Sequence, residues 1–177
     1  MLRPQTASAH RFAALALLFL AACDGSSAGE QQLFEDEALL TPVQGITETD
    51  AQATVTARDP SDWRIGPAYL NEASLLQLPS PNPVRFGDAI GFLVDLAQGL
   101  PGGLRLYVLA EDPVTRAVDL IPIADPNAYQ PQATQTGFYS FSISARQIAY
   151  GGAGLYRVVL LDGRQGIVTY GDIEVRN

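Results

Sequence analysis

From Ala89 to Asn177 apolar and polar residues exchange places at every second position, and that period of two leaves room for little except β-structure. Ile90, Phe92, Val94 and Leu96 point one way while Gly91, Leu93 and Asp95 point the other. Leu104, Leu106 and Val108 alternate with Arg105 and Tyr107, and Tyr139, Phe141 and Ile143 alternate with Ser140, Ser142 and Ser144. Successive side chains of a strand lie on opposite faces, so each run predicts a half-buried strand. Turn residues separate the runs at Leu100-Pro101-Gly102-Gly103, at Gly151, Gly152 and Gly154, and at Asp162-Gly163. Val118–Ile123 reads as an edge strand, because Pro122 cannot donate to a ladder. Leu155–Leu161 is apolar on both faces apart from Arg157, as a central strand would be. In the last run Ile167, Thr169, Gly171, Ile173 and Val175 alternate with Val168, Tyr170, Asp172, Glu174 and Arg176, which predicts that Tyr170, like Tyr107, points outward. One helical turn is expected near Ala145–Ala149, and no segment sustains a long helical period. An all-β, antiparallel sandwich of about seven strands over residues 63–177 follows.

The remainder is set apart by charge. The 177-residue chain holds 11 arginines and no lysine against 19 acids, a net charge of −8. Between Asp24 and Asp62 lie nine of those acids and a single base, Arg58. So acidic a stretch predicts a largely disordered tether over residues 23–62, which as a coil would span roughly 35 Å. Within it Glu30–Leu40 could form a short helix and Ala53–Ala57 an edge strand. The acidic excess argues against a nucleic-acid partner, whose phosphates require clustered cations.

The first residues carry an address. Arg3 and Arg11 precede the apolar run Phe12–Leu20, which is too short to cross a bilayer as a helix, and small residues and Cys23 follow at once. Leu20-Ala21-Ala22-Cys23 resembles the lipobox of bacterial lipoproteins. The resemblance implies a signal peptide over residues 1–22, cleavage between Ala22 and Cys23, and fatty acyl chains on Cys23 that hold the protein to a membrane of the cell envelope. It covers the first 23 residues. Cleavage would also remove His10 and Met1 and leave nine arginines against 19 acids, with no histidine, lysine or methionine.

A second resemblance covers the last 90 or so residues. Gly154-Leu155-Tyr156 before an apolar strand is similar to the tyrosine corner of immunoglobulin-like and fibronectin type III-like domains. It implies that the Tyr156 ring enters the end of the core and that its hydroxyl bonds nearby backbone.

Elimination bounds the chemistry. Ser-His-Asp and Cys-His catalysis need a histidine, and Ser-Lys variants need the absent lysine. Zinc sites draw on His and Cys, and no calcium-loop spacing is present, so neither metal nor cofactor is expected. Gly102-Gly103 and Gly151-Gly152 lack a following lysine and read as turns rather than phosphate cradles. A paired-carboxylate hydrolase stays formally open, but the domain's acids fall mostly in turns or on outward faces. The expected function is therefore non-catalytic: a binding or assembly module of the envelope with a protein partner. The alternative is a carbohydrate-binding sandwich, with Trp63 and nearby Tyr69 as the candidate ligand contacts. A tryptophan in a domain's first strand more commonly closes the core, and that placement is the one expected for Trp63.

Overall fold

A computed structural model describes residues 24–112 and 114–177. Cys23 and the leader before it, including the Ala22–Cys23 cleavage position, lie outside the described residues. The chain begins with helix α1 (Asp24–Ala38). There follow β1 (Glu48–Thr49), β2 (Val55–Ala57), β3 (Arg64–Ile65), β4 (Ala73–Ser80), β5 (Val84–Arg85), β6 (Ala89–Leu96), β7 (Leu104–Glu111), β8 (Val118–Pro122), β9 (Tyr129–Gln130) and β10 (Gly137–Ser144). The short helix α2 (Ala145–Ile148) precedes the last two strands, β11 (Gly154–Asp162) and β12 (Ile167–Arg176). One sheet has the order β10-β6-β4; the other runs β3-β12-β11-β7-β8, with β9 on β7 and β5 parallel to β12. The fold is an antiparallel β-sandwich whose seven principal strands follow the immunoglobulin-like plan. In both sheets the expected strands appear, and β8 is the edge its proline requires.

The core is built by the alternation read above. Ile90, Phe92, Val94 and Leu96 of β6 meet Tyr139, Phe141 and Ile143 of β10 in register, Phe92 opposite Phe141 with rings stacked 4.7 Å apart. Leu104, Leu106 and Val108 of β7 and Val158 and Leu160 of β11 close the core from the other sheet. In β12 the alternation slips. Leu160 pairs with Thr169 but Leu161 pairs with Ile167, so Val168 is an extra residue. This bulge turns Val168 as well as Thr169 toward the core and sends Ile167 to the outer face, one residue out of step with the sequence pattern.

The acidic segment departs from the expected tether. Residues 24–62 are folded onto the sandwich, beginning with α1, which contains much of the short helix expected at Glu30–Leu40. Phe34 and Ala38, four residues apart and so on one helix face, are buried against Val159, Leu161, Ile167 and Tyr170 of the outer sheet face. Polar ties add to this. Gln31 Nε2 donates to the Ile167 carbonyl at 3.0 Å, its Oε1 accepts from the Ala68 N–H at 3.0 Å, and Glu35 Oε1 accepts from the Ile167 N–H. Glu37 pairs with Arg64 at 2.8 Å. Acidic composition predicts disorder when charges have no partners and there is no apolar face to dock on; here six of the segment's acids, Glu35, Asp36, Glu37, Asp50, Asp59 and Asp62, are bonded and the β11–β12 face is apolar. For the same reason Tyr170 is only 1% exposed, not outward in solvent. It points away from the core as predicted, but α1 covers it.

The strap from 39 to 62 is also held. Thr49 and Asn82 exchange backbone bonds, Asn82 Nδ2 donates to the carbonyls of Thr47 and Asp172, and Asn82 Oδ1 accepts from the Glu174 N–H. The turn Pro81-Asn82-Pro83 thereby staples the strap to β12.

Candidate functional site

The two aromatic residues expected at a sugar surface are both interior. Trp63 is 3% exposed and Tyr69 9%. Trp63 sits at φ +57°, its N–H bonded to the Tyr170 carbonyl, because β3 pairs with β12 and turns the side chain inward between the sheets. The indole lies over Gly171, where any Cβ would overlap it, and 5.9 Å from the Phe92 ring. The Tyr69 hydroxyl abuts Gly166 and Asp162, and burial pushes its pKa well above the usual tyrosine range. Neither ring offers a face to a ligand. Sugar stacking on Trp63 and Tyr69 is therefore overturned, and the core-closing placement of Trp63 holds.

A buried polar cluster missing from the sequence reading lies under the strap and the end of α1. Arg157 Nε and Nη2 grip the two Asp172 oxygens at 2.8 and 2.9 Å, a bidentate pair with Asp172 1% exposed. Arg157 Nη1 donates to the carbonyls of Glu37, Ala38 and Leu40 at 3.0, 3.4 and 3.3 Å. A cation thus meets the last carbonyls of α1, those of Glu37 and Ala38, and the Leu40 carbonyl just beyond it, where the helix dipole is negative. The guanidinium also stacks 5.1 Å over Tyr170. Beside it Asp62, 1% exposed, accepts from the Thr47 N–H at 2.7 Å and the Asp172 N–H at 3.1 Å. Burial, and then the Asp172 carboxylate, push Asp62 up to about 7. Two carboxylates in proximity suit hydrolysis only if water and substrate reach them; these are sealed. The cluster is a latch, and the one clue to it in the sequence is Arg157 interrupting an otherwise apolar strand.

Solvent-facing chemistry collects at one end of the sandwich. The β6–β7 turn and the β11–β12 turn touch there, with Gly102 so close that a Cβ on it would stand 2.7 Å from Gly163 Cα. Gly102 and Gly103 both have φ +77°, which glycine adopts without strain. Above this backbone floor is a cavity of about 210 Å³ lined by Arg105, Tyr107, Tyr129, Asp162 and Gln165. The Arg105 guanidinium stacks 4.6 Å over the Tyr129 ring. A larger open cleft, about 620 Å³, lies between Ile46, Leu155 and the end of β12, but its charged side chains Glu174 and Arg176 are paired with each other at 2.7 Å.

Among the described residues no group of three or more His, Cys, Asp or Glu side chains is arranged to hold a metal ion, and no helix is long and apolar enough to cross a membrane. No protein-family model and no curated protein matches the chain.

Proposed function

We propose that the protein is a lipid-anchored, non-catalytic module of a bacterial cell envelope that binds or assembles with a protein partner. The observation that carries this reading is Leu20-Ala21-Ala22-Cys23, an apolar core followed by small residues and the only cysteine of the chain. Two or three acyl chains on Cys23 would anchor the protein stably, where one alone would be marginal. Asp24, the next residue, is the first of α1, so anchor and folded body adjoin. A binding role is supported by what cleavage leaves, a chain without histidine or lysine, and by the inaccessibility of the Asp62–Asp172 carboxylates. The test is metabolic labelling with a clickable fatty acid. Wild type is expected to label and fractionate with membranes, and Cys23→Ser to lose both label and membrane association. Equal labelling of the two overturns the anchor.

A further inference from the structure

We infer that the cavity between the β6–β7 and β11–β12 turns is a binding site for one ring of a neutral glycan, a site that does not rest on the lipid anchor. Its size comes first. At about 210 Å³ it is below the range of pockets for drug-sized ligands and takes a single ring rather than an extended peptide. Its chemistry comes second. Arg105 only donates hydrogen bonds, Gln165 and the tyrosine hydroxyls both donate and accept, and the Asp162 carboxyl, 5% exposed, lies at the floor of the cavity. A sugar hydroxyl both donates and accepts, so a polyol can satisfy this mixed wall, whereas a carboxylate that suits Arg105 would face the negative Asp162. Formal charges on the wall cancel, which fits a neutral ligand.

The site is also held in shape before any ligand arrives. Tyr129 supports the guanidinium of Arg105 through stacking, so its fork of donors is fixed rather than free. Asp162 Oδ1 accepts from the Arg164 and Gly166 N–H groups, both at 2.9 Å, which fixes that carboxylate and the turn that bears Gln165. Tyr107 and Tyr129 add aromatic side chains to the lining, against which the apolar face of a sugar ring can pack. The backbone pairing Arg105 opposite Tyr129 and Leu161 brings β9, β7 and β11 together here. These residues stand up to sixty positions apart in sequence, so no short motif announces them.

The test uses the full chain in mild detergent on an array of neutral hexose and N-acetylhexosamine oligomers, alongside uronate- and sialate-bearing ones, followed by titration with the best-bound oligosaccharide. At least one neutral oligomer is expected to bind. Tyr129→Ala and Arg105→Gln should each weaken it about tenfold or more, the loss expected for a charge-assisted hydrogen bond or a stacking face, while the melting temperature of both variants stays within a few degrees of wild type. Arg105→Lys, which keeps charge but loses the planar fork, should bind more weakly than wild type. Three outcomes overturn the proposal: no oligomer binds, only the acidic oligomers bind, or binding survives both Tyr129→Ala and Arg105→Gln. Because Cys23 is untouched in these variants, acylation and glycan binding succeed or fail separately.

Discussion

Asp62 is a single buried carboxylate that ties the strap to β12 through the Thr47 and Asp172 N–H groups. Its folded pKa stands near 7 against an ordinary 3.8, so the folded state holds the proton more tightly than the unfolded chain does. The resulting stabilisation is complete below about pH 4 and is lost as pH rises through 7. Three pK units correspond to at most about 4 kcal/mol, and urea denaturation at pH 5 and pH 8 should show wild type more stable at pH 5. Asp62→Asn should flatten that difference, at a basal cost of about 1–3 kcal/mol because Asn cannot accept from both backbone donors with two oxygens. An unchanged pH dependence in the variant would refute the assignment. The tyrosines divide differently from the alternation. The Tyr156 hydroxyl donates to the Gly152 carbonyl at 2.8 Å, as the tyrosine-corner resemblance implies, but its ring is only half-buried. Tyr156→Phe should cost about 0.5–1.5 kcal/mol, since water can reach the freed carbonyl. Tyr170 is enclosed by Phe34 at 4.9 Å and by Arg157, and Tyr170→Ala should cost about 3–5 kcal/mol. Chemical denaturation of the two variants should rank Tyr170→Ala well above Tyr156→Phe.

Helix α1 is an element whose order comes from its docking site. Among the described residues its apolar contacts with the sheet are Phe34 and Ala38, too little for an isolated helix of this length to persist in water. Arg157 is one of the groups that hold its end. Arg157→Ala strips the helix end of its cation and leaves Asp172 charged and buried without a partner, a loss of about 3–5 kcal/mol. Phe34→Ala should cost about the same through the cavity and lost contact area, but without stranding a charge. Hydrogen exchange is the sharper readout: both variants should raise exchange across residues 28–38 while the amides of β6 and β10 stay protected. Uniform loosening of the whole sandwich would mean that α1 is part of one cooperative unit rather than a docked element. Deleting residues 24–40 should likewise lower stability markedly, because Val159, Leu161, Ile167 and Tyr170 would face water, whereas removal of a true tether would leave stability unchanged.

For the whole molecule the folded helix changes the geometry of any anchor. Gln31, the first of the described side chains tied to the sheet, is eight residues beyond Cys23, a rise of about 12 Å at helical spacing. An acylated protein is thus expected to rest close to the head groups rather than roughly 35 Å above them on a coil. Neutron reflectometry of the acylated chain on a supported bilayer checks this: protein density should begin at the head-group boundary, and a hydrated gap of about 30 Å would refute it.

The period of two by itself determined the β-sandwich, six of its longer strands and the edge position of β8, because burying one face of a strand requires alternation and few other folds tolerate it; β4, whose pairing with β6 slips twice, carried no such period and was not legible in the sequence. It placed Ile90, Phe92, Phe141 and Leu160 in the core and Tyr170 on the opposite face. It could not show that this opposite face is covered. Only the tertiary structure decided that α1 folds back onto β11 and β12, since two apolar residues in an acidic helix become ordered only against a surface supplied 120 residues later. The apolar outer face of Leu155–Leu161 was the trace that such a cover existed. The buried Arg157–Asp172–Asp62 latch and the Arg105–Tyr129 cavity were likewise settled in three dimensions, because their members come from separate strands and turns that register brings together. A pattern along one strand records which side faces inward; what meets that side, or covers the other, is a property of strands and helices distant in the chain.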